Sequence, residues 1–190
     1  LAAVPALAKA GIGGSIFHEV FGVLRERALE RVAQIELDWN AARGNWPSHD
    51  LVYAPAPHTL YTTHPDAVKA LLKRARALAV RSTLHLAEHP GERLALEKGL
   101  GPVPEWIQSR LKIERVEWPH LSPVRYADTL GALAADVLLV HLTDANAEEI
   151  ALIAEKSSPV VLCPRSNLHI EVQLPPVLTF LRAGIAPALG

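Results

Sequence analysis

The segment STLHLAEHPGE, residues 82–92, places two imidazoles and a carboxylate where an apolar run ends. Two residues separate His85 from Glu88, and the Pro-Gly pair that follows His89 indicates a turn. Neutral imidazole is a good ligand for zinc or iron, and a carboxylate nearby can move a proton. The segment therefore predicts either active-site residues at the end of a strand or a strand end whose polar side chains are only solvated.

Polar side chains follow apolar runs elsewhere in the chain as well. In chain order the set comprises Glu19, His58, His85 with Glu88, His141, Arg165, Ser166 and Asn167. In a parallel barrel the carboxyl ends of all strands meet at one mouth, where the chemistry is found. These residues are therefore our candidates for catalysis, metal binding and substrate binding.

Most of these candidates also have a purely structural interpretation. Glu88 can be the carboxylate at the start of a following helix, and His141 can cap the turn after its strand. Glu19 can be a solvated strand end, and residues 165–167 can form an Asx-type turn. His58 fits either interpretation.

The elements that must position these residues are short strands that alternate with helices. Six apolar segments predict strands, at 13–22, 51–57, 82–88, 136–142, 159–164 and 184–190. Helical patterns lie between them. Segment 65–78 has its apolar residues on one face, and segment 146–156 has Asn146 followed three residues later by Glu149, which predicts a capping box.

The strand pattern predicts an α/β fold with a parallel sheet, because the strands are continuously apolar rather than alternating. No Gly-x-Gly-x-x-Gly follows a strand, which argues against a doubly wound dinucleotide-binding sheet. The polar strand ends favour a (β/α)8 TIM-type barrel, which needs about 250 residues. We therefore expect residues 1–190 to be part of a single barrel domain, seen as an incomplete barrel that lacks its first strands and the end of the eighth.

Composition narrows the class of protein and its partners. The chain is 49% hydrophobic with a formal net charge of −1, which is typical of a soluble globular protein. The absence of a basic cluster argues against nucleic acid and anionic membranes as partners. No apolar run reaches the roughly 18–20 residues that span a bilayer. Cys163 is the only cysteine, which excludes an internal disulfide and favours a reducing compartment, the cytoplasm.

Several blocks of this sequence together resemble the amidohydrolase superfamily. STLHLAEHPGE (82–92), DVLLVHLTDANAEEIALIAEKSSPVVLCPRSNL (136–168) and LRAGIAPALG (181–190) are similar to consecutive blocks of its barrel. The similarity is greatest to the branch of nucleobase and nucleoside deaminases and chlorohydrolases. LVYAPAPHTLYTTHPDAVKALL (51–72) and AGIGGSIFHEVFG (10–22) resemble the fourth-strand and third-strand blocks of that branch.

The resemblance implies roles for the candidate residues. His85 would be the fifth-strand ligand of one divalent metal, zinc or alternatively iron. Glu88 would be the proton shuttle, and His141 would be the hydrogen-bonding partner of the attacking water. The substrate-binding residues would be His58, Arg165, Ser166, Asn167 and Glu19.

The same resemblance implies a function. We expect a metal-dependent hydrolase of C–N bonds that deaminates a small amino-heterocycle, similar to a purine or nucleoside. Two alternatives remain open: hydrolysis of another ring substituent or of a cyclic amide by the same activated water, and a non-catalytic barrel fragment that serves as a scaffold. A homodimer is also implied by the resemblance.

The sequence departs from the family pattern in its metal ligands. No His-x-His pair, which the family carries on its first strand, occurs in the chain. The chain ends at Gly190, where the Gly-Thr step before the family's metal-binding Asp would begin. It also starts with Leu1 and contains no methionine. We therefore expect sequence to be missing at both ends and the metal site to be incomplete in this polypeptide alone.

Overall fold

The computed structural model describes all 190 residues, which form two compact units. The first unit comprises residues Leu1–His58 and Thr62–Thr83, and the second comprises Thr59–Tyr61 and Leu84–Gly190. None of the helices is both long enough and apolar enough to cross a bilayer.

The first unit is built around two parallel strands. Its elements are α1 (Val4–Lys9), β1 (Gly14–Val20), α2 (Arg25–Ala42), a 3-10 turn (Arg43–Asn45), β2 (Leu51–Pro57) and α3 (Pro65–Ala77). The register pairs Gly14 with Leu51 and Val20 with Pro57. Val20, Ile35 and Leu71 form a buried cluster, so the sheet and both long helices share one apolar core.

The sequence pattern of α3 accounts for its position. Val68, Leu71, Leu72 and Ala75 lie on the predicted face, and all four are buried. The helix begins at Pro65, whose missing N–H costs nothing at a first helical position.

The second unit contains a four-stranded sheet in the order β3-β4-β5-β6. Its elements are β3 (Ser82–Leu86), within which the unit boundary falls, α4 (Pro90–Lys98), α5 (Pro102–Leu111), α6 (Pro123–Thr129), β4 (Val137–His141), α7 (Ala147–Glu155), β5 (Val160–Leu162), α8 (Pro164–Ile170), α9 (Val177–Arg182) and β6 (Ala188–Leu189). The pairs β4–β5 and β5–β6 are parallel. This order of parallel strands and helices confirms the predicted α/β class.

Two helix ends in the second unit follow ordinary capping rules. The predicted capping box at the start of α7 is present, because the Asn146 side chain accepts from the Glu149 N–H and Glu149 accepts from the Asn146 N–H. Helix α4 is followed by Gly99, its C-cap residue, which has a left-handed φ of 67°. A Cβ at Gly99 would lie 2.6 Å from Cδ1 of Trp118, so space as well as conformation requires glycine there.

Only the strand at 51–57 has the predicted bounds. The segments 13–22, 82–88 and 136–142 form strands at Gly14–Val20, Ser82–Leu86 and Val137–His141. Proline explains the shortening of the two remaining segments. The segment 159–164 forms a strand only at Val160–Leu162, because prolines stand at both of its ends and cannot donate to a ladder. The last strand is Ala188–Leu189 rather than 184–190, since Pro187 precedes it. The alternative of an Asx-type turn for residues 165–167 is also wrong, because they lie within α8.

Candidate active site

The carboxyl end of β3 carries the first group of candidate residues. Leu84 and Leu86 are fully buried, and His85 between them is partly exposed. The chain then turns at Ala87, which is buried and has a left-handed φ of 48°. Glu88 follows this turn, so the turn determines where its carboxylate points.

The carboxyl end of β4 bends in the same unusual way. His141 and Leu142 have φ values of 78° and 53°, and neither residue is glycine. Such a conformation costs a residue with a Cβ about 1–2 kcal/mol. Non-glycine residues in strained conformations are concentrated at functional sites, which is consistent with a site at these two strand ends.

Backbone hydrogen bonds hold the two bent strand ends side by side. The Leu142 N–H donates to the Leu86 carbonyl at 2.9 Å, and the Asp144 N–H donates to the Ala87 carbonyl at 2.8 Å. The pairing of β3 with β4 therefore continues past both strands into the loops that carry the candidate side chains.

Three of the predicted residues meet at this point. The ring centroids of His85 and His141 are 5.4 Å apart. Nε2 of His141 lies 3.3 Å from Oε1 of Glu88. His141 is 8% exposed and the Glu88 side chain 20% exposed, so the pair is largely shielded from bulk solvent.

Asn167 fixes the protonation pattern of His141. Its side-chain Nδ2 donates to Nδ1 of His141 at 3.2 Å, and the whole residue is buried. Because Nδ1 accepts, the proton of the neutral ring lies on Nε2, which faces Glu88. The structure thus places Asn167 against His141, while Arg165 is exposed and Ser166 partly exposed on the same helix, α8.

Glu19 and His58 belong to the first unit. Glu19 is paired in register with Ala56 near the end of β1, and His58 directly follows β2. Nδ1 of His58 lies 2.8 Å from the hydroxyl of Thr62, and the His58 N–H donates to the Val20 carbonyl. Both residues therefore occupy the carboxyl ends of parallel strands, as predicted, and their role in substrate binding stays a prediction.

A largely buried ion-pair network was not predicted from the sequence. Arg93 in α4 donates from Nε to Oδ2 of Asp144 at 2.6 Å and from Nη2 to Oε2 of Glu149 at 2.7 Å. Glu149 is 3% exposed; burial alone would raise its pKa, but the hydrogen bonds from Arg93 bring the pKa below its ordinary value. The network connects α4 with the loop after β4 and with α7. Its partners lie more than 50 residues apart along the chain, so no local pattern signals it.

Glu92 is a second buried acid that the sequence analysis did not single out. The residue is 1% exposed, and burial raises its pKa to about 8. The negative charges of Glu88 and Asp144 act in the same direction, whereas backbone hydrogen bonds from Glu88 and Ala87 oppose it. Oε1 of Glu92 has no hydrogen-bond partner.

We expect the raised pKa of Glu92 to make the protein less stable as pH rises. Between the unfolded value of 4.5 and the folded value of about 8, only the folded state keeps this proton. The free energy of unfolding should therefore fall across this window by about 5 kcal/mol more in the wild type than in Glu92→Gln. Urea unfolding at a series of pH values measures the difference, and parallel curves for the two proteins would contradict it.

Comparison with protein families places most of the chain in one of them. The model of the amidohydrolase family matches residues 11–190. The aminodeoxyfutalosine deaminase of Deinococcus radiodurans is 32% identical over 97% of this chain, which covers 46% of that protein. The 5-methylthioadenosine/S-adenosylhomocysteine deaminase of Moorella thermoacetica is 28% identical over 97% of this chain and 38% of its own length.

Solved structures show the same fold. The aminofutalosine deaminase of Helicobacter pylori, crystallised with methylthio-coformycin, matches 98% of this chain and 45% of its own with a TM-score of 0.87 and 19% identity. A zinc-bound adenosine deaminase of Xanthomonas campestris matches 98% of this chain and 38% of its own with a TM-score of 0.70 and 20% identity. The chain spans less than half the length of each of these four relatives. Because the family model covers nearly the whole sequence, this chain belongs to the amidohydrolase family.

Proposed function

We propose that this chain is part of a (β/α)8 barrel enzyme that hydrolyses the exocyclic C–N bond of an adenosine-like nucleoside. The observation that carries the proposal is the 3.3 Å approach of Glu88 to His141, with the ring of His85 beside them at the ends of two neighbouring strands. The match of the family model to residues 11–190 supports the barrel and a single domain over residues 1–190.

The residues at the end of β3 fit a divalent metal. The neutral imidazole of His85 is a donor that zinc accepts, and iron accepts it as well. We assign His85 as the ligand on this chain. Lewis-acid activation of water at neutral pH is the chemistry that such a metal supplies when bound.

Glu88 would carry the protons of the reaction. Its carboxylate takes a proton from the attacking water and delivers it to the ring nitrogen of the substrate. It then passes the second water proton to the amino group, which leaves as ammonia while the ring carbon keeps the oxygen. A carboxylate that alternates between base and acid needs partial shielding from solvent, and the Glu88 side chain is 20% exposed.

His141 would orient the water rather than transfer protons. With Nδ1 accepting from Asn167, its Nε2–H faces the space beside Glu88. A fixed donor there can stabilise the oxygen that attacks the ring, without reorganisation during the reaction. Arg165, Ser166, Asn167, His58 and Glu19 would bind the substrate.

The choice of substrate class is supported by the relatives. The Moorella protein is named for 5-methylthioadenosine and S-adenosylhomocysteine, and another relative, from Methanothrix thermoacetophila, is a 5′-deoxyadenosine deaminase. We therefore propose a purine nucleoside with an exocyclic amino group, a small molecule, as the substrate. Location in the cytoplasm, a homodimer, and the lack of nucleic-acid or membrane partners stay predictions.

Metal removal tests the proposal on the complete protein that contains this chain. We expect ammonia release from adenosine and 5′-methylthioadenosine, its loss after treatment with a chelator, and its return with zinc. His85→Ala should lower the zinc content measured by mass spectrometry because one ligand is gone. His169→Ala, at an exposed position in α8, is the control and should keep its zinc. Deamination that survives complete metal removal would contradict the mechanism.

A further inference from the structure

Glu92 occupies a helix position at which a glutamate usually caps the helix, but its carboxyl group accepts a different hydrogen bond. It is the third residue of α4 after the N-cap His89, where a glutamate ordinarily accepts the N–H of the N-cap residue. Glu149 does this at the equivalent position of α7, since its Oε2 accepts from the Asn146 N–H at 3.0 Å. Oε2 of Glu92 instead accepts from the N–H of Glu88, at 3.0 Å.

The hydrogen bond from the Glu88 N–H is the second of two hydrogen bonds that hold the peptide group between Ala87 and Glu88. The carbonyl of Ala87 and the N–H of Glu88 belong to the same peptide plane. The carbonyl accepts from the Asp144 N–H at 2.8 Å, and the N–H donates to Glu92 at 3.0 Å. Both polar atoms of this plane are therefore held, immediately after the left-handed residue Ala87 and immediately before the Glu88 side chain.

Stability alone does not explain a carboxyl group at position 92. The residue is 1% exposed, and its Oε1 has no hydrogen-bond partner. Burying a polar atom without a partner costs free energy, and an apolar side chain of similar size avoids that cost. What the carboxyl group contributes is contact that an apolar side chain cannot make, the hydrogen bonds with the backbone of Glu88 and Ala87.

We infer that Glu92 is a positioning residue, which holds the Ala87–Glu88 peptide so that the Glu88 carboxylate faces His141. The inference rests on the proton-transfer role proposed above for Glu88. Glu92 itself would not touch the substrate.

Two variants of similar size separate positioning from packing. Glu92→Gln keeps a side-chain carbonyl that can accept from the Glu88 N–H, whereas Glu92→Leu keeps the volume and removes the acceptor. In the complete protein we expect Glu92→Leu to lower kcat about 100-fold with little change in KM, because a misplaced proton carrier slows the chemical step and not binding. Glu92→Gln should keep kcat close to that of the wild type.

Hydrogen exchange of the Glu88 amide gives a readout that does not depend on activity. Measured by NMR without substrate, the exchange should be slow in the wild type and in Glu92→Gln, and faster in Glu92→Leu. Glu92→Asp is a second variant in case the leucine protein does not fold: its shorter side chain retracts the acceptor, so the amide should again exchange faster.

The two measurements also distinguish the inference from the proposed function. Slow exchange of the Glu88 amide in both Glu92→Leu and Glu92→Asp would overturn the inference, and so would wild-type kcat in Glu92→Leu. Failure of the wild type to deaminate any aminopurine nucleoside would overturn the proposed function, and the exchange of the Glu88 amide would then decide the positioning role alone.

Discussion

Replacing Glu88 with glutamine should reduce kcat for deamination by on the order of 10³-fold while leaving the zinc content unchanged. Glutamine has nearly the same shape as glutamate, but its amide cannot accept a proton from water and pass it to the substrate. The loss of charge beside Nε2 of His141, 3.3 Å away, should alter the local structure little because Asn167 still holds the ring from the other side.

Steady-state rates of ammonia release and metal analysis of the same preparations test this prediction. Glu155→Gln, at an exposed position at the end of α7, is the matched control and should retain the wild-type rate. A Glu88→Gln protein that turns over at nearly the wild-type rate would show that another group moves the protons. Loss of zinc together with activity would instead assign Glu88 to metal binding.

Replacing Arg93 with methionine should lower the free energy of unfolding by about 3–5 kcal/mol. The arginine neutralises Asp144 and Glu149, and Glu149 is 3% exposed. Methionine fills most of the volume of the arginine stem, so the main effect is that two shielded carboxylates lose their cation. Removing one partner of a buried ion pair costs far more stability than replacing both partners with apolar residues, because it leaves a buried charge without a counterion.

Arg125→Met is the control for the Arg93 variant. Arg125 lies 3.9 Å from Glu148, and the two side chains are 60% and 86% exposed. An exposed pair of this kind contributes about 0–1 kcal/mol, so this variant should unfold almost as the wild type does. Urea titrations of the three proteins measure the difference. Equal losses from Arg93→Met and Arg125→Met would contradict the view that burial makes the Arg93 network strong.

The meeting of Glu88 with His141 could be predicted because local rules determine it. Continuous apolar runs identify β3 and β4, and a parallel sheet places the carboxyl ends of neighbouring strands at one edge. The capping box of α7 is equally local, because Asn146 and Glu149 lie within one helical turn. Patterns of this length are visible in the sequence without knowledge of the fold.

The supports of the site could not be predicted, because they join residues far apart in sequence. Asn167 reaches His141 across 26 residues, and Arg93 reaches Glu149 across 56. Arginine and asparagine are ordinarily surface residues, so their types gave no signal of burial. The left-handed turn at Ala87 also had no signal, since alanine does not favour that conformation.

The continued pairing of β3 with β4 limits how the length of this chain can vary in evolution. The hydrogen bonds from Leu142 to Leu86 and from Asp144 to Ala87 require a fixed number of residues between the bonded positions on each strand end. One inserted or deleted residue between these positions shifts the register of the pair and moves Glu88 away from His141. Insertions are compatible with the site only away from this ladder, for example in the segment 113–121 between α5 and α6, which contains no helix or strand. Homologues of different length that keep the activity are therefore expected to differ in that segment and to share an identical spacing from residue 85 to 92 and from 139 to 144.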